Sequence, residues 1–119
     1  MKLSPYFSRS EFACQCGCGY NTVDAALIEA LNNVREHFGK PITVTSAARC
    51  EKHNKAVGGS PKSQHRFGRA ADIQVKGIVP ADVHAYLEGE YGTCYGLGKY
   101  DSFTHIDTRD GKARWDLCA

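Results

Sequence analysis

The longest regular pattern of apolar residues spans residues 23–38. Its apolar side chains recur at steps of three and four residues, which places them on one face of a helix. Thr22 can cap the first turn, and Asp24 suits the positive helix N-terminus. Gly39 and Pro41 end the pattern. We therefore predict a helix that packs on the core through Val23, Ala26, Leu27, Ala30, Leu31, Val34 and Phe38.

Shorter patterns predict strands in the rest of the chain. Residues 41–46 are rich in β-branched side chains, and residues 71–75 alternate between apolar and polar. Three further β-like runs follow, near residues 95–97, 103–107 and 113–115. The sequence therefore predicts several short strands in its second half.

Additional short helices are predicted by local signals. Ser8 and Glu11 have the spacing of a capping box, residues 51–57 form a helical stretch, and residues 80–88 begin with proline at the first turn. Residues 60–69 resemble a loop. The predicted helices lie mainly in the first part of the chain and the strands mainly in the second. This order predicts one α+β domain over residues 1–119, with a small, mostly antiparallel sheet flanked by helices.

Composition narrows the functional classes. The 119 residues are 42% hydrophobic and 24% charged, as in an ordinary globular domain. A net charge of +2 is too small to indicate a nucleic-acid interface. No run of about 18 apolar residues predicts a membrane span. The first residues show no apolar signal segment, so we expect a cytoplasmic protein or one released by a route that the sequence does not encode.

The cysteines leave three interpretations open: free thiols, disulfides or a metal site in addition to the one considered below. The Cys-x-Cys-x-Cys spacing differs from the Cys-x-x-Cys of common zinc sites, which weakens the metal interpretation. The six cysteines are Cys14, Cys16, Cys18, Cys50, Cys94 and Cys118.

Two separated segments carry residues that suit a metal site. His65 and Asp72 are both zinc-ligand types, and Gly68 between them permits a turn. His105 and Asp107 share one face if their segment is a strand. With His65, Asp72 and His105 as ligands, a fourth position stays open, as in catalytic zinc sites. Spacing alone leaves ordinary structural roles equally open, and no His-Glu-x-x-His motif is present.

Resemblance decides between these interpretations. The pattern Ser63-x-His65-x-x-Gly68-x-Ala70-x-Asp72 resembles the signature of the M15 family of zinc D-Ala-D-Ala carboxypeptidases and related peptidoglycan peptidases. Residues 44–49, 53–59 and 103–107 resemble the family's other conserved stretches. Residues 8–12, with the cysteine at position 14, resemble the start of its phage and prophage members.

The resemblance implies a hedgehog/DD-peptidase fold and one zinc ion held by His65, Asp72 and His105. It also places Arg49 near the substrate, where a guanidinium can make a two-pronged contact with a carboxylate. Ser63 and Gln64 are expected to contact substrate or to support His65 by hydrogen bonds, although both could simply form the turn.

One position departs from the family pattern. Many members carry the general base three residues before the second histidine, where this chain has Ser102. Two neighbouring acids are candidates for the role, Asp101 and Asp107. Strand geometry favours Asp107, because it shares a face with His105.

We therefore expect zinc-dependent hydrolysis of a peptide bond in the peptidoglycan stem peptide, by a carboxypeptidase or an endopeptidase that acts as a monomer. The absent signal segment suggests a phage or prophage lysin that is cytoplasmic until it reaches the cell wall, or a virion-associated enzyme. The alternative from another class is a metal-bound module that binds the wall or a partner without turnover.

Overall fold

The computed structural model describes residues 2–118, and within them it contains three α-helices, two 3-10 helices and five strands. The α-helices are α1 (Ala25–Phe38), α2 (Glu51–Ala56) and α3 (Pro80–Glu90). The 3-10 helices are Arg9–Phe12 and Gln64–Phe67. The strands are β1 (Ile42–Ser46), β2 (Ala70–Val75), β3 (Tyr95–Lys99), β4 (Thr104–Asp107) and β5 (Lys112–Asp116).

The strands form one sheet in the order β1-β2-β4-β3-β5. Neighbouring strands are antiparallel except for β3 and β5, which are parallel. The predicted α+β class with a small, mostly antiparallel sheet is therefore confirmed. Within the part of the chain that is described, no helix combines the length and the apolar character needed to cross a bilayer.

Alternation along the central strands separates the core from the opposite face of the sheet. Ile73 in β2 and Ile106 in β4 belong to the hydrophobic core, beneath helices α1 and α3. Their neighbours Asp72, His105 and Asp107 therefore project from the other face. The same period-two pattern that builds the core thus brings polar side chains of two adjacent strands together.

The centre of the predicted apolar face of α1 is buried, at Leu27, Ala30, Leu31 and Val34, whereas Ala26 and Phe38 are partly buried and Val23 precedes the helix. Each large aliphatic side chain that becomes fully buried contributes roughly 1.5–3 kcal/mol. The largest apolar side chains of the core that are almost inaccessible to solvent are Phe7, Phe12, Leu27, Leu31, Val34, Ile73, Val83, Leu87, Leu97 and Ile106.

Two local predictions were wrong in detail. Helix α1 begins at Ala25 with Asp24 at its N-cap, so Thr22 lies outside the helix and does not cap it. The Asp24 carboxylate accepts a hydrogen bond from the Thr108 hydroxyl at 2.6 Å and makes no capping bond. The segment predicted as a loop contains the second 3-10 helix, which is followed by the C-cap residue Gly68 with a left-handed φ of 68°.

Candidate metal centre

Three side chains from three different elements converge on one point. His65 lies in the second 3-10 helix, while Asp72 in β2 and His105 in β4 are directly paired across neighbouring strands. Asp72 Oδ1 lies 3.4 Å from His65 Nε2 and 2.8 Å from His105 Nδ1. One ligand atom from each side chain lies within 4.8 Å of the other two.

The hydrogen bonds behind each imidazole determine which nitrogen faces this point. His65 Nδ1 lies 2.7 Å from the carbonyl oxygen of Ala47, an acceptor, so Nδ1 carries the proton and Nε2 has a lone pair. His105 Nε2 lies 2.7 Å from Asp107 Oδ2 and Nδ1 lies 2.8 Å from Asp72 Oδ1, so a cation beside Asp72 would replace the Nδ1 proton and take its lone pair. With both imidazoles neutral, two ring nitrogens and a carboxylate oxygen would face a cation at this point, a donor set that fits zinc.

The electrostatics of this group favour a positive charge between the side chains. Burial raises the pKa of Asp72, but hydrogen bonds and charges from His105 and His65 outweigh this effect and lower it to about 2. Burial lowers the pKa of His105, but hydrogen bonds with Asp107 and Asp72 outweigh that effect and raise it. A cation at this point would therefore be stabilised by the surrounding carboxylates.

A cavity of about 240 Å³ opens beside the three side chains. Of the described residues that line it, Asp72 is the single carboxylate, and two arginines contribute positive charge. The lining residues are Arg49, Ser60, Ser63, Gln64, His65, Asp72, Tyr100, His105, Arg109 and Trp115.

Comparison with known protein families identifies the class of protein. A family model described as Peptidase M15 matches residues 5–107, most of the chain. The chain belongs to the peptidase M15 family. This is a family of zinc-dependent metallopeptidases, in agreement with the donor set described above. No curated protein matches the chain at a significant level.

The geometry of this M15 chain does not fit the expectation that Asp107 is the general base. Asp107 is fully buried, and Arg109 donates to both of its oxygens, at 2.7 and 2.8 Å. Burial raises the pKa of Asp107, but hydrogen bonds from Arg109 and His105 outweigh it and hold the pKa well below its usual range. Asp107 does not line the cavity, and it contacts His105 at the nitrogen that faces away from Asp72.

The other candidate acid, Asp101, lies in the exposed turn between β3 and β4. Asp101 directly follows Tyr100, which lines the cavity, but Asp101 is not itself a lining residue. Ser102, at the position where the family pattern has its base, is exposed, and its carbonyl oxygen accepts a hydrogen bond from Gln74 Nε2 at 2.9 Å.

The three other candidate residues of the M15 chain all line the cavity. Two neutral oxygens, Ser46 Oγ and Asn54 Oδ1, orient the Arg49 guanidinium at 3.4 and 3.1 Å without neutralising it. The Ser63 hydroxyl accepts a hydrogen bond from the backbone nitrogen of His65 at 3.3 Å. Gln64 Oε1 is buried and has no hydrogen-bond partner among the described residues.

Sequence reasoning missed an aromatic and cationic wall of the M15 site. Trp115 lies beside the His105 ring, with 4.9 Å between ring centroids, and its Nε1 donates to the Tyr100 hydroxyl at 2.8 Å. The Arg109 guanidinium lies over the same indole, 5.3 Å from the ring centroid. These contacts bring together residues of β4, β5 and the connecting segments.

Two glycines of β3 make room for this arrangement. A Cβ at Gly96 would overlap the carboxylate of Asp107, and a Cβ at Gly98 would overlap the indole of Trp115. Glycine within a strand often marks a close approach of another group. The Gly-x-Gly pattern at these positions is therefore the sequence signal that could have indicated the wall.

Proposed function

We propose that this chain hydrolyses a peptide bond in the peptidoglycan stem peptide, with one zinc ion held by His65 Nε2, Asp72 Oδ1 and His105 Nδ1. The observation that supports this most directly is the convergence of these three atoms beside a cavity. Each histidine is held by a hydrogen bond from behind, to the Ala47 carbonyl or to Asp107, which preorganises the set. When bound, zinc supplies Lewis-acid polarisation of the peptide carbonyl and activates the attacking water.

Arg49 and Gln64 bind and orient the substrate in this proposal. The Arg49 guanidinium lines the cavity and can take a peptide carboxylate through two parallel hydrogen bonds. Gln64 Oε1 is buried without a partner, and an unmet acceptor beside a cavity can receive an amide N–H of the substrate. Ser63 supports His65 by capping its 3-10 helix.

Proton transfer is assigned to Asp101. Asp107 is occupied by His105 and Arg109, and Asp72 belongs to the ligand set. Asp101 is exposed and adjacent to the cavity residue Tyr100, and the proposal requires that the turn carry its carboxylate to the cavity when substrate binds. Replacing it by Asn should lower kcat by about 10²–10⁴-fold with zinc content unchanged. Full activity of Asp101→Asn would remove this role from the proposal.

The test of the proposed function is digestion of purified peptidoglycan, followed by mass spectrometry of the released and residual peptides. The wild type should create new peptide termini, and His65→Ala should lose both zinc and hydrolysis. The control is the exposed His37 on α1, which is not a cavity residue, since His37→Ala should keep both zinc and hydrolysis. Hydrolysis by zinc-free His65→Ala would contradict the proposal.

The products of the same digestion show which peptide bond is cleaved. A carboxypeptidase removes only the terminal D-Ala, whereas an endopeptidase cuts within stem peptides or their cross-links. Arg49 in the cavity favours the carboxypeptidase, because a guanidinium there can hold a C-terminal carboxylate.

The setting that we propose is a phage or prophage lysin, or a tail-associated enzyme, on the basis of the family-like residues 8–14. The competing function is a metal-bound wall-binding module without turnover, which is favoured by the absence of any lining carboxylate beyond Asp72 among the described residues. If the chain is an enzyme, it should lyse chloroform-treated Gram-negative cells, and EDTA should stop this lysis. A protein that binds the wall but releases no peptide before or after zinc addition would be the module.

A further inference from the structure

Four of the six cysteines meet at a second point, outside the cavity. Cys14, Cys16 and Cys18 come from the segment after the first 3-10 helix, and Cys50 is the N-cap residue of α2. The four sulfur atoms all lie within 4.8 Å of one another. The Cys14–Cys16, Cys16–Cys50 and Cys14–Cys50 sulfur pairs are 3.5, 3.6 and 3.8 Å apart.

These distances fit a metal better than disulfides. A disulfide bond is about 2.0 Å long, well below each of the three separations. A tetrahedral zinc ion with Zn–S bonds of about 2.3 Å holds its sulfur ligands about 3.8 Å apart. The sulfurs of Cys14, Cys16 and Cys50 therefore already have nearly the spacing of a tetrahedral tetrathiolate site, and the Cys18 sulfur lies within 4.8 Å of each of them.

Backbone groups around the cluster support negatively charged sulfur. The backbone N–H groups of Cys50, His53 and Tyr20 point at the sulfurs of Cys14, Cys50 and Cys18, at 3.5, 3.4 and 3.4 Å. Hydrogen bonds to a thiolate favour its charged form, which is the form that binds metal.

The turns within and directly after the segment of the first three cysteines also depend on glycine. Gly17 and Gly19 adopt left-handed φ angles of 81° and 89°. Such φ values are easily reached by glycine and strained for other residues. The chain can therefore fold around one point with a ligand at every second residue.

We propose that Cys14, Cys16, Cys18 and Cys50 bind one Zn²⁺ as four thiolates, at a structural site separate from the His65 centre. Four soft sulfur ligands in tetrahedral arrangement are the ligand set of structural zinc, and they leave no open position for substrate. The proposal does not depend on the peptidase activity, because it uses none of the residues of the cavity.

The position of the site gives it a consequence for the cavity. Cys50 directly follows Arg49, and the Ala47 carbonyl that holds His65 lies three residues before it. The backbone N–H of Ala48 also donates to the Phe12 carbonyl at 3.1 Å, beside the cysteine segment. A zinc ion here would fix the N-terminal segment to the chain that positions the substrate arginine and one ligand histidine.

Zinc content per chain tests the proposal in the full-length protein. We expect two zinc ions in the wild type, and loss of one in Cys16→Ser/Cys18→Ser, whose two residues are exposed and therefore tolerant of substitution. Cys94→Ser/Cys118→Ser is the matched control and should keep two. His65→Ala should keep one, so loss of the peptidase metal is distinguished from loss of this one.

Two further measurements leave all four cysteines in place, and the first needs no variant. In the zinc-loaded wild type, four thiols should resist a thiol reagent and become reactive after chelation. In His65→Ala, cobalt in place of zinc should give a thiolate-to-metal charge-transfer absorption. Two zinc ions in Cys16→Ser/Cys18→Ser, iron in place of zinc, no cobalt–thiolate absorption, or a mass lowered by disulfide formation would each overturn the proposal.

Discussion

Asp107 contacts His105 on the side of the imidazole that faces away from Asp72, with Oδ2 2.7 Å from Nε2. Arg109 in turn donates to both oxygens of Asp107. The carboxylate therefore fixes the orientation of the histidine that we propose as a metal ligand, and we propose a positioning role for it.

Asp107→Asn should consequently weaken zinc binding by about 10–100-fold, because the amide removes the negative charge that orients His105. The measurement is zinc affinity by competition with a chelator. The exposed Asp110 offers the control, since Asp110→Asn should leave affinity unchanged. Unchanged zinc affinity together with lost hydrolysis would instead indicate that Asp107 takes a direct part in the reaction.

Replacement of Arg49 by lysine should raise KM more than it lowers kcat. The lost two-pronged contact corresponds to about a 10- to 100-fold decrease in kcat/KM on a stem peptide with a free C-terminal carboxylate. A peptide with an amidated C-terminus lacks that carboxylate, so wild type and Arg49→Lys should hydrolyse it equally. Arg66→Lys, whose guanidinium lies 3.8 Å from Glu51, serves as the control. An equal loss on both peptides would contradict carboxylate recognition.

Gly98→Ala should disturb the wall of the cavity. The new methyl group overlaps the indole of Trp115, and overpacking of this kind costs about 1–3 kcal/mol of unfolding free energy. Trp115 is the single tryptophan of the chain, so its fluorescence should shift in the same variant. Gly89→Ala in α3 meets no atom within 4 Å and should stabilise the protein by about 0.5–1 kcal/mol. Unchanged fluorescence and stability in Gly98→Ala would refute the packing described here.

The Glu88–Arg114 pair predicts a small pH dependence of stability. Hydrogen bonding with Arg114, the largest influence, lowers the pKa of Glu88 from its usual 4.5. Its contribution is therefore complete above about pH 4.5 and disappears as the pH falls through the lower folded-state value. Because Glu88 is 40% exposed, Glu88→Gln should cost only about 0.5 kcal/mol at pH 7 and less at pH 3. Chemical denaturation at both pH values, with Glu90→Gln as the control, measures this difference, and a cost that grows on acidification would contradict it.

Periodicity and local motifs were sufficient to predict most of the fold. The apolar face of α1, the strands around Ile73 and Ile106 and the turn at Gly68 all follow from spacing and residue type. The start of α1 was placed too early, since Asp24 has an extended backbone and its carboxylate accepts a hydrogen bond from Thr108, which is distant in the sequence. A local capping rule contains no information about such a partner.

The metal-ligand candidates could be predicted because the family motifs contain them. The role of Asp107 could not, because it depends on a tertiary contact. The signature brings His65, Asp72 and His105 into one hypothesis, and the structure places them together. Strand alternation put Asp107 on the face of His105, but it could not show that Arg109 occupies the carboxylate.

The cysteine cluster shows the same limit. The spacing of the first three cysteines gave a weak metal signal, because the fourth sulfur, from Cys50, arrives through the packing of the N-terminal segment on the chain between β1 and α2. A site whose ligands lie far apart in the sequence has no complete local signature.

Anomalous diffraction at the zinc absorption edge, from crystals of the zinc-loaded protein, tests the central claim most directly. The account predicts a peak about 2.0–2.2 Å from His65 Nε2, Asp72 Oδ1 and His105 Nδ1. An anomalous map with zinc only at the cysteines, or with no zinc between these three side chains, would contradict it.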